Sequence, residues 1–307
     1  MRLLKYLLLA LFLLAGAATA CLYLAPGVVT RTYVAIERAK AGLERKEIVT
    51  ADGLRMVYLE GGMGGPQKAP LMLLHGFSDD KDNFVFVAGA LGGRYHLIIP
   101  DITGFGESER PAGAHYGAAA QVERLRALAQ ALKIGPLHLG GSSMGGQIAL
   151  LWAAHHPEEV KSLWLLDAGG LRTVPADQAP QPAAPQSFDQ EKALAMSDPP
   201  DIPKPILDYI GEQRAKNKKL EELIGKDLAA EPDLEPQIQG LATPSLIVWG
   251  KEDRIINPAA AEILHGLLPN STVILVDGAG HLPMLERPER SAADYTAFRE
   301  RLAAQLR

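Results

Sequence analysis

The chain has 307 residues, 47% hydrophobic and 22% charged, with a formal charge of −5. That composition suits a soluble globular enzyme with a sizeable apolar interior, and it lacks the basic excess a nucleic-acid partner requires. A single cysteine, Cys21, excludes an intrachain disulfide, and the eight histidines lack the spacing of a zinc site.

The first element is apolar on every side. Arg2 and Lys5 precede Tyr6–Val29, 24 residues without a charge. As a helix this run is about 36 Å long, enough to cross a hydrocarbon core of about 30 Å. Its positive flank belongs in the cytoplasm, which places the remainder outside. The expectation is an inner-membrane anchor over residues 1–30, with the rest facing the periplasm. Cleavage at Ala18-Thr19-Ala20 to give a secreted protein and lipidation at Cys21 are the competing readings. The anchor is preferred because Leu22–Val29 stays apolar where a lipidated protein has a polar tether.

Tyr33–Lys46 reads as an amphipathic helix. Residues 47–50 and 54–60 flank Ala51-Asp52-Gly53 and read as a hairpin. Short apolar runs at 70–76 and 95–101 read as strands buried on both faces, and 136–141, 160–167, 244–250 and 271–278 read as further strands. Between them, 118–134, 144–156, 258–268 and 290–306 have helical spacing. Strands alternating with helices predict right-handed crossovers and a mostly parallel sheet. The alternation breaks at 169–241, proline-rich and then charged and helical. This stretch reads as a helical cap inserted after the sixth strand, over a core of 31–168 and 242–307. The apolar spacing of Ile206, Ile210, Leu220 and Leu223 favours a packed cap over a disordered loop.

Gly141-Ser142-Ser143-Met144-Gly145 fits G-x-S-x-G between a predicted strand and a predicted helix. A sharp turn there strains the central residue and lifts its side chain above the sheet. Glycines at 141 and 145 remove the clashes two positions away, and Ser142 should face away. Ser143 is therefore the candidate nucleophile. It needs a base, and His281 lies in a loop after the last strand, between Gly280 and Leu282. An orienting acid is expected after an intervening strand, and Asp253 is preferred to Glu252. Oxyanion donors are expected from the backbone N–H groups of Met144 and Phe77. His75 reads as a loop-shaping residue, and Asp101 as a carboxylate that ties down backbone N–H groups.

The stretches LLHGFSDDKDNF, YHLIIPDITGFGES, GGSSMGGQIAL, SLWLLDAGG, LIVWGKEDRIINP and GAGHLPMLERPE resemble, in order, those of the α/β-hydrolase superfamily. More narrowly the chain resembles bacterial lipases and esterases with an apolar N-terminal segment. The resemblance implies an α/β-hydrolase fold and hydrolysis of acylglycerols or simpler carboxylic esters, without a metal or organic cofactor. It places nucleophile, acid and base on Ser143, Asp253 and His281, and the oxyanion donors on Phe77 and Met144. Ser142 departs from the asparagine that relatives often carry there. A monomer acting on a lipid ester is expected. Carbon–carbon bond hydrolysis, perhydrolysis and a catalytically silent membrane-attached binding module are the alternatives.

Overall fold

A computed structural model describes residues 6, 7, 16, 19–62, 69–172 and 187–305. Eight strands form one sheet: β1 (Leu43–Val49), β2 (Arg55–Gly61), β3 (Leu71–Leu74), β4 (Leu97–Pro100), β5 (Leu137–Ser142), β6 (Val160–Leu166), β7 (Ser245–Gly250) and β8 (Ser271–Val276). Their order across the sheet is β1-β2-β4-β3-β5-β6-β7-β8. The β1–β2 and β2–β4 pairs are antiparallel, and every pair from β4 to β8 is parallel.

The inner strands β3 to β7 are buried at nearly every position, Lys161 excepted, and are mostly apolar because both faces are covered. Met72, Leu74, Leu163, Leu165, Ile247 and Trp249 enter one core, together with the helix Met144–His155. Their alternates Leu71, Leu73, Trp164, Leu166, Leu246 and Val248 enter the other, against the helices Val85–Ala90 and Pro288–Gln305. The two-residue period of a strand divides each short run between two cores.

The helices Phe188–Ala195, Lys204–Ala229 and Glu235–Ile238 lie between β6 and β7 and form the cap. The cap is packed: Ile224, Leu234 and Ile238 are buried in the first core. The register differs by one residue from expectation, since Leu223 is 41% exposed and Ile224 is the buried one. The proline-rich part at 173–186 lies outside the described residues.

Two expectations at the N-terminal side are corrected or fall outside view. The helix expected over Tyr33–Lys46 runs instead from Pro26 to Lys40, and Leu43–Lys46 belong to β1. Gly42, at φ +68°, ends the helix in a left-handed turn open to glycine, and the chain leaves it extended. Pro26 supplies the preset φ of a first helical residue. Half of the expected anchor, residues 1–5, 8–15, 17 and 18, lies outside the described residues. Among the described residues no helix is long and apolar enough to cross a membrane. The short helix Val85–Ala90 and the 3₁₀ turn Lys81–Phe84 before it were not legible as elements.

That 3₁₀ turn holds a buried ion pair. Lys81, 1% exposed, puts Nζ 2.7 Å from Asp101 Oδ2 and 2.9 Å from Glu107 Oε1. Burial disfavours its ammonium, but the charges of Asp101, Asp80 and Asp82 and the hydrogen bond to Asp101 together outweigh that and raise its pKa. Asp101 also accepts the backbone N–H groups of Lys81 (2.9 Å) and Glu107 (2.7 Å), the role the sequence suggested. Gly106 makes room, because a Cβ there would stand 2.1 Å from the Asp101 carboxyl carbon. Lys81→Met is expected to cost about 3–5 kcal/mol, since it strands a buried carboxylate. Urea denaturation measures this, and a loss below about 1 kcal/mol would contradict it.

Candidate active site

β5 runs into Ser143 and, without a spacer, into the helix Met144–His155. Reversing direction that abruptly leaves Ser143 at φ +51°, ψ −118°. Such a conformation in a non-glycine residue costs about 1–3 kcal/mol and persists only when its surroundings impose it. Here they do. Ser143 N–H donates to Leu166 O at 3.0 Å, and Ser143 O accepts from the N–H groups of Gly146, Gln147 and Gly169 at 2.9, 3.1 and 2.9 Å.

The flanking glycines are required by space. A Cβ on Gly141 would lie 2.2 Å from Gly145 O, and one on Gly145 would lie 2.0 Å from Leu74 O. Ser142 faces away as expected: it is fully buried, and its hydroxyl finds no partner among the described residues. Ser143 is only partly buried at the head of the helix.

The loop after β3 lies against this turn. A Cβ on Gly76 would be 3.3 Å from Ser143 Cβ and 3.2 Å from Asp79 Oδ2. Phe77 follows, 38% exposed, with its ring edge-on to Phe105. His75 fixes the loop: its Nε2 accepts from Ile102 N–H at 3.0 Å, and its Nδ1 lies 2.8 Å from Gly76 O. The cap passes overhead, with Gly225 above the Phe77 ring and Ile224 beside Gly104. Arg214 from the same cap helix donates to Ser78 O at 2.6 Å.

Asp253 and His281 meet beyond the ends of β7 and β8. Both are buried, and His281 Nδ1 lies 2.8 Å from Asp253 Oδ2. Asp253 Oδ1 accepts from the N–H groups of Ile255 and Ile256 at 2.8 and 3.0 Å. Trp249 Nε1 donates to Oδ2 at 3.2 Å. Glu252, the rejected neighbour, instead accepts from Ala279 N–H at 3.1 Å. His281 N–H donates to Ala195 O of the cap at 2.7 Å, so the cap's first helix is tied to the imidazole's own backbone. Glu286 strengthens that tie by accepting from both Gly280 N–H and Ser197 N–H.

One buried acid escaped the sequence reading. Asp167, at the end of β6, is fully buried at φ +46°, and a carboxylate oxygen, the Asp253 carboxylate and a His281 ring nitrogen lie within 4.8 Å of one another. Its signal is a carboxylate closing the apolar run Leu163–Leu166. The other histidines expected to be bystanders have ordinary partners. His138 Nδ1 is 2.7 Å from Ser162 Oγ, and burial lowers its pKa to about 3. His115 pairs with Asp227 at the surface.

The sequence model of the Alpha/beta hydrolase family matches residues 71–294. Lipase 1 of Psychrobacter immobilis is 37% identical over 290 residues, covering 90% of each chain. Monoacylglycerol lipase ABHD6 of Homo sapiens is 27% identical over 306 residues, 92% of this chain and 90% of that one. Among solved structures, a membrane phospholipase A described as a bacterial virulence factor superposes with a TM-score of 0.83 at 34% identity, covering 96% of this chain and 98% of the other.

Proposed function

The chain belongs to the alpha/beta hydrolase family, and on that premise we propose that it cleaves lipid-like esters such as acylglycerols through an acyl-enzyme on Ser143. It is a serine hydrolase acting on carboxylic esters. The observation that carries the mechanistic reading is a strained, partly exposed serine at a helix head, on the same sheet edge as a buried imidazole–carboxylate bond of 2.8 Å.

In this reading Ser143 Oγ attacks the ester carbonyl while His281 Nε2 takes its proton. Asp253 holds the Nδ1–H tautomer and stabilises the imidazolium. The N–H groups of Phe77 and Met144 receive the oxyanion, each worth about 3 kcal/mol of barrier. The positive end of the helix beneath adds to that stabilisation. His281 then protonates the leaving alcohol and activates the water that releases the acid. No step calls for a metal or an organic cofactor.

Three features support a lipid-like substrate: the lipase relatives, the paired rings of Phe77 and Phe105 at the loop that abuts the serine turn, and the apolar N-terminal run. Tyr23, Leu24 and Val28 are 67%, 84% and 54% exposed, which suits attachment to a bilayer through that segment. Residues 169–241 act as the cap, over a core of 31–168 and 242–307.

The test is fluorophosphonate labelling followed by hydrolysis of p-nitrophenyl esters of rising acyl length and of emulsified triacylglycerol. The label is expected on the peptide that carries Ser143, with activity on at least one ester. Labelling elsewhere, or hydrolysis of dienones alone, would overturn the reading. A rate that jumps above the solubility limit identifies a lipase rather than an esterase.

A further inference from the structure

Asp167 takes no part in the mechanism above, yet it is fully buried, with a carboxylate oxygen within 4.8 Å of an Asp253 carboxylate oxygen and a His281 ring nitrogen. Its Oδ1 accepts from Gly250 N–H at 3.0 Å. Its Oδ2 is buried and receives no donor among the described residues. A buried, ionised oxygen left without a donor beside a second carboxylate is doubly unfavourable, from desolvation and from like charge. One proton between the two carboxyl groups removes both problems.

We propose that Asp167 carries that proton on Oδ2 and donates it in a hydrogen bond to the Asp253 carboxylate, acting as a positioning residue for the Asp253–His281 pair. The donor count decides which carboxyl keeps the proton. Asp253 already accepts from four donors, Ile255 N–H, Ile256 N–H, Trp249 Nε1–H and His281 Nδ1. Asp167 accepts from Gly250 N–H alone. Burial, and then the Asp253 charge, hold the Asp167 carboxyl well above the usual carboxylate range. The titratable groups facing it are Asp253 after β7, His281 after β8 and Glu286 of the following short helix. The backbone supports a fixed role as well: Asp167 stands at φ +46°, clamped by its N–H to Val248 O at 3.0 Å. Its effect on turnover rests on the triad reading above, whereas its protonation does not.

Two substitutions and one spectrum test this. Asp167→Asn keeps both hydrogen bonds, with Nδ2–H donating to Asp253 and Oδ1 accepting from Gly250, and asparagine tolerates the left-handed φ. Its kcat/KM should stay within about threefold of the parent, a loss of under one hydrogen bond. Asp167→Ala removes the donor, and kcat/KM should fall about tenfold. The acidic limb of its pH profile should move to higher pH, because more negative charge is left on Asp253 facing the imidazolium. Stability gives a readout independent of turnover. The folded parent holds a proton that the unfolded chain releases above about pH 4, so parent stability declines as pH rises from there. Asp167→Asn carries no such burden. Its Tm should exceed the parent's at about pH 8, and the gain should vanish toward about pH 4. The infrared C=O band of a protonated acid should be present in the parent at neutral pH and absent from Asp167→Asn.

Matching Tm-against-pH curves with no acid band would overturn the shared proton. Asp167→Asn as inactive as Asp167→Ala would overturn the positioning role. If Asp167→Ala does not fold, the asparagine variant and the spectrum decide. If the parent cleaves no ester, the triad reading fails while the band and the Tm curves still judge the carboxyl pair.

Discussion

Ser143→Ala is expected to lower kcat for ester hydrolysis by roughly 10⁴- to 10⁶-fold without unfolding the protein. The hydroxyl is the only atom group removed, and the backbone that strains residue 143 is held by other contacts. Those are its N–H to Leu166 O and its carbonyl to three N–H donors. Alanine adopts this conformation at the same cost of about 1–3 kcal/mol that serine already incurs, so the Tm should change little. The residual rate should come from the oxyanion donors and substrate binding alone. Because the nucleophile is gone, the fluorophosphonate label should vanish along with turnover. A variant that retains activity within tenfold of the parent and still takes the label would place the nucleophile elsewhere. Thermal unfolding of both proteins by circular dichroism guards against a trivial loss by misfolding.

The reason so much of the candidate site could be read in the chain lies in the sheet. Parallel strands leave short runs rich in apolar residues, and each run ends in a loop at one edge. Ser143, Asp253 and His281 each follow such a run, so order along the chain translated into position along that edge. Glycine carried further information, because at 141 and 145 no Cβ fits against Gly145 O or Leu74 O. The cap was legible as an interruption but not in register. A long amphipathic helix with many charges leaves the buried side ambiguous by one residue, and Ile224 took the place expected for Leu223. The helix boundary at Lys40 was missed because helical spacing continued past Gly42, whose left-handed backbone overrides it. Asp167 was invisible for a different reason. A carboxylate at a strand end is ordinary in sequence, and its meaning comes from Asp253 and His281, which reach it only through folding. Lys81 is similar: nothing local marks a lysine destined for 1% exposure, since its counter-charge Asp101 comes from another strand.

Asp253→Asn should reduce kcat by roughly 10³- to 10⁴-fold while leaving the imidazole in place. Where an asparagine puts its nitrogen decides the outcome. Asp253 Oδ1 accepts from two backbone N–H groups, those of Ile255 and Ile256. An amide nitrogen there would face two donors with nothing to accept, so the carboxamide oxygen must occupy that side. The NH₂ group is thereby forced toward His281 Nδ1, now 2.8 Å from Oδ2. It donates there, and the imidazole is driven into the tautomer with its hydrogen on Nε2. That nitrogen can no longer take a proton from Ser143. Trp249 Nε1–H also loses its acceptor at Oδ2 and retains only Ile256 O at 3.4 Å, so a modest loss of stability should accompany the kinetic one. Imidazole protonation adds to the defect, since a neutral amide no longer stabilises the cation that forms during attack. The rate deficit should shrink as pH rises, because hydroxide can then assist deprotonation of the serine. The measurement is kcat against pH for parent and variant on one soluble ester. A variant within tenfold of the parent at neutral pH would show that Asp253 does not set the tautomer, and the neighbouring Asp167 would then be the carboxylate to examine.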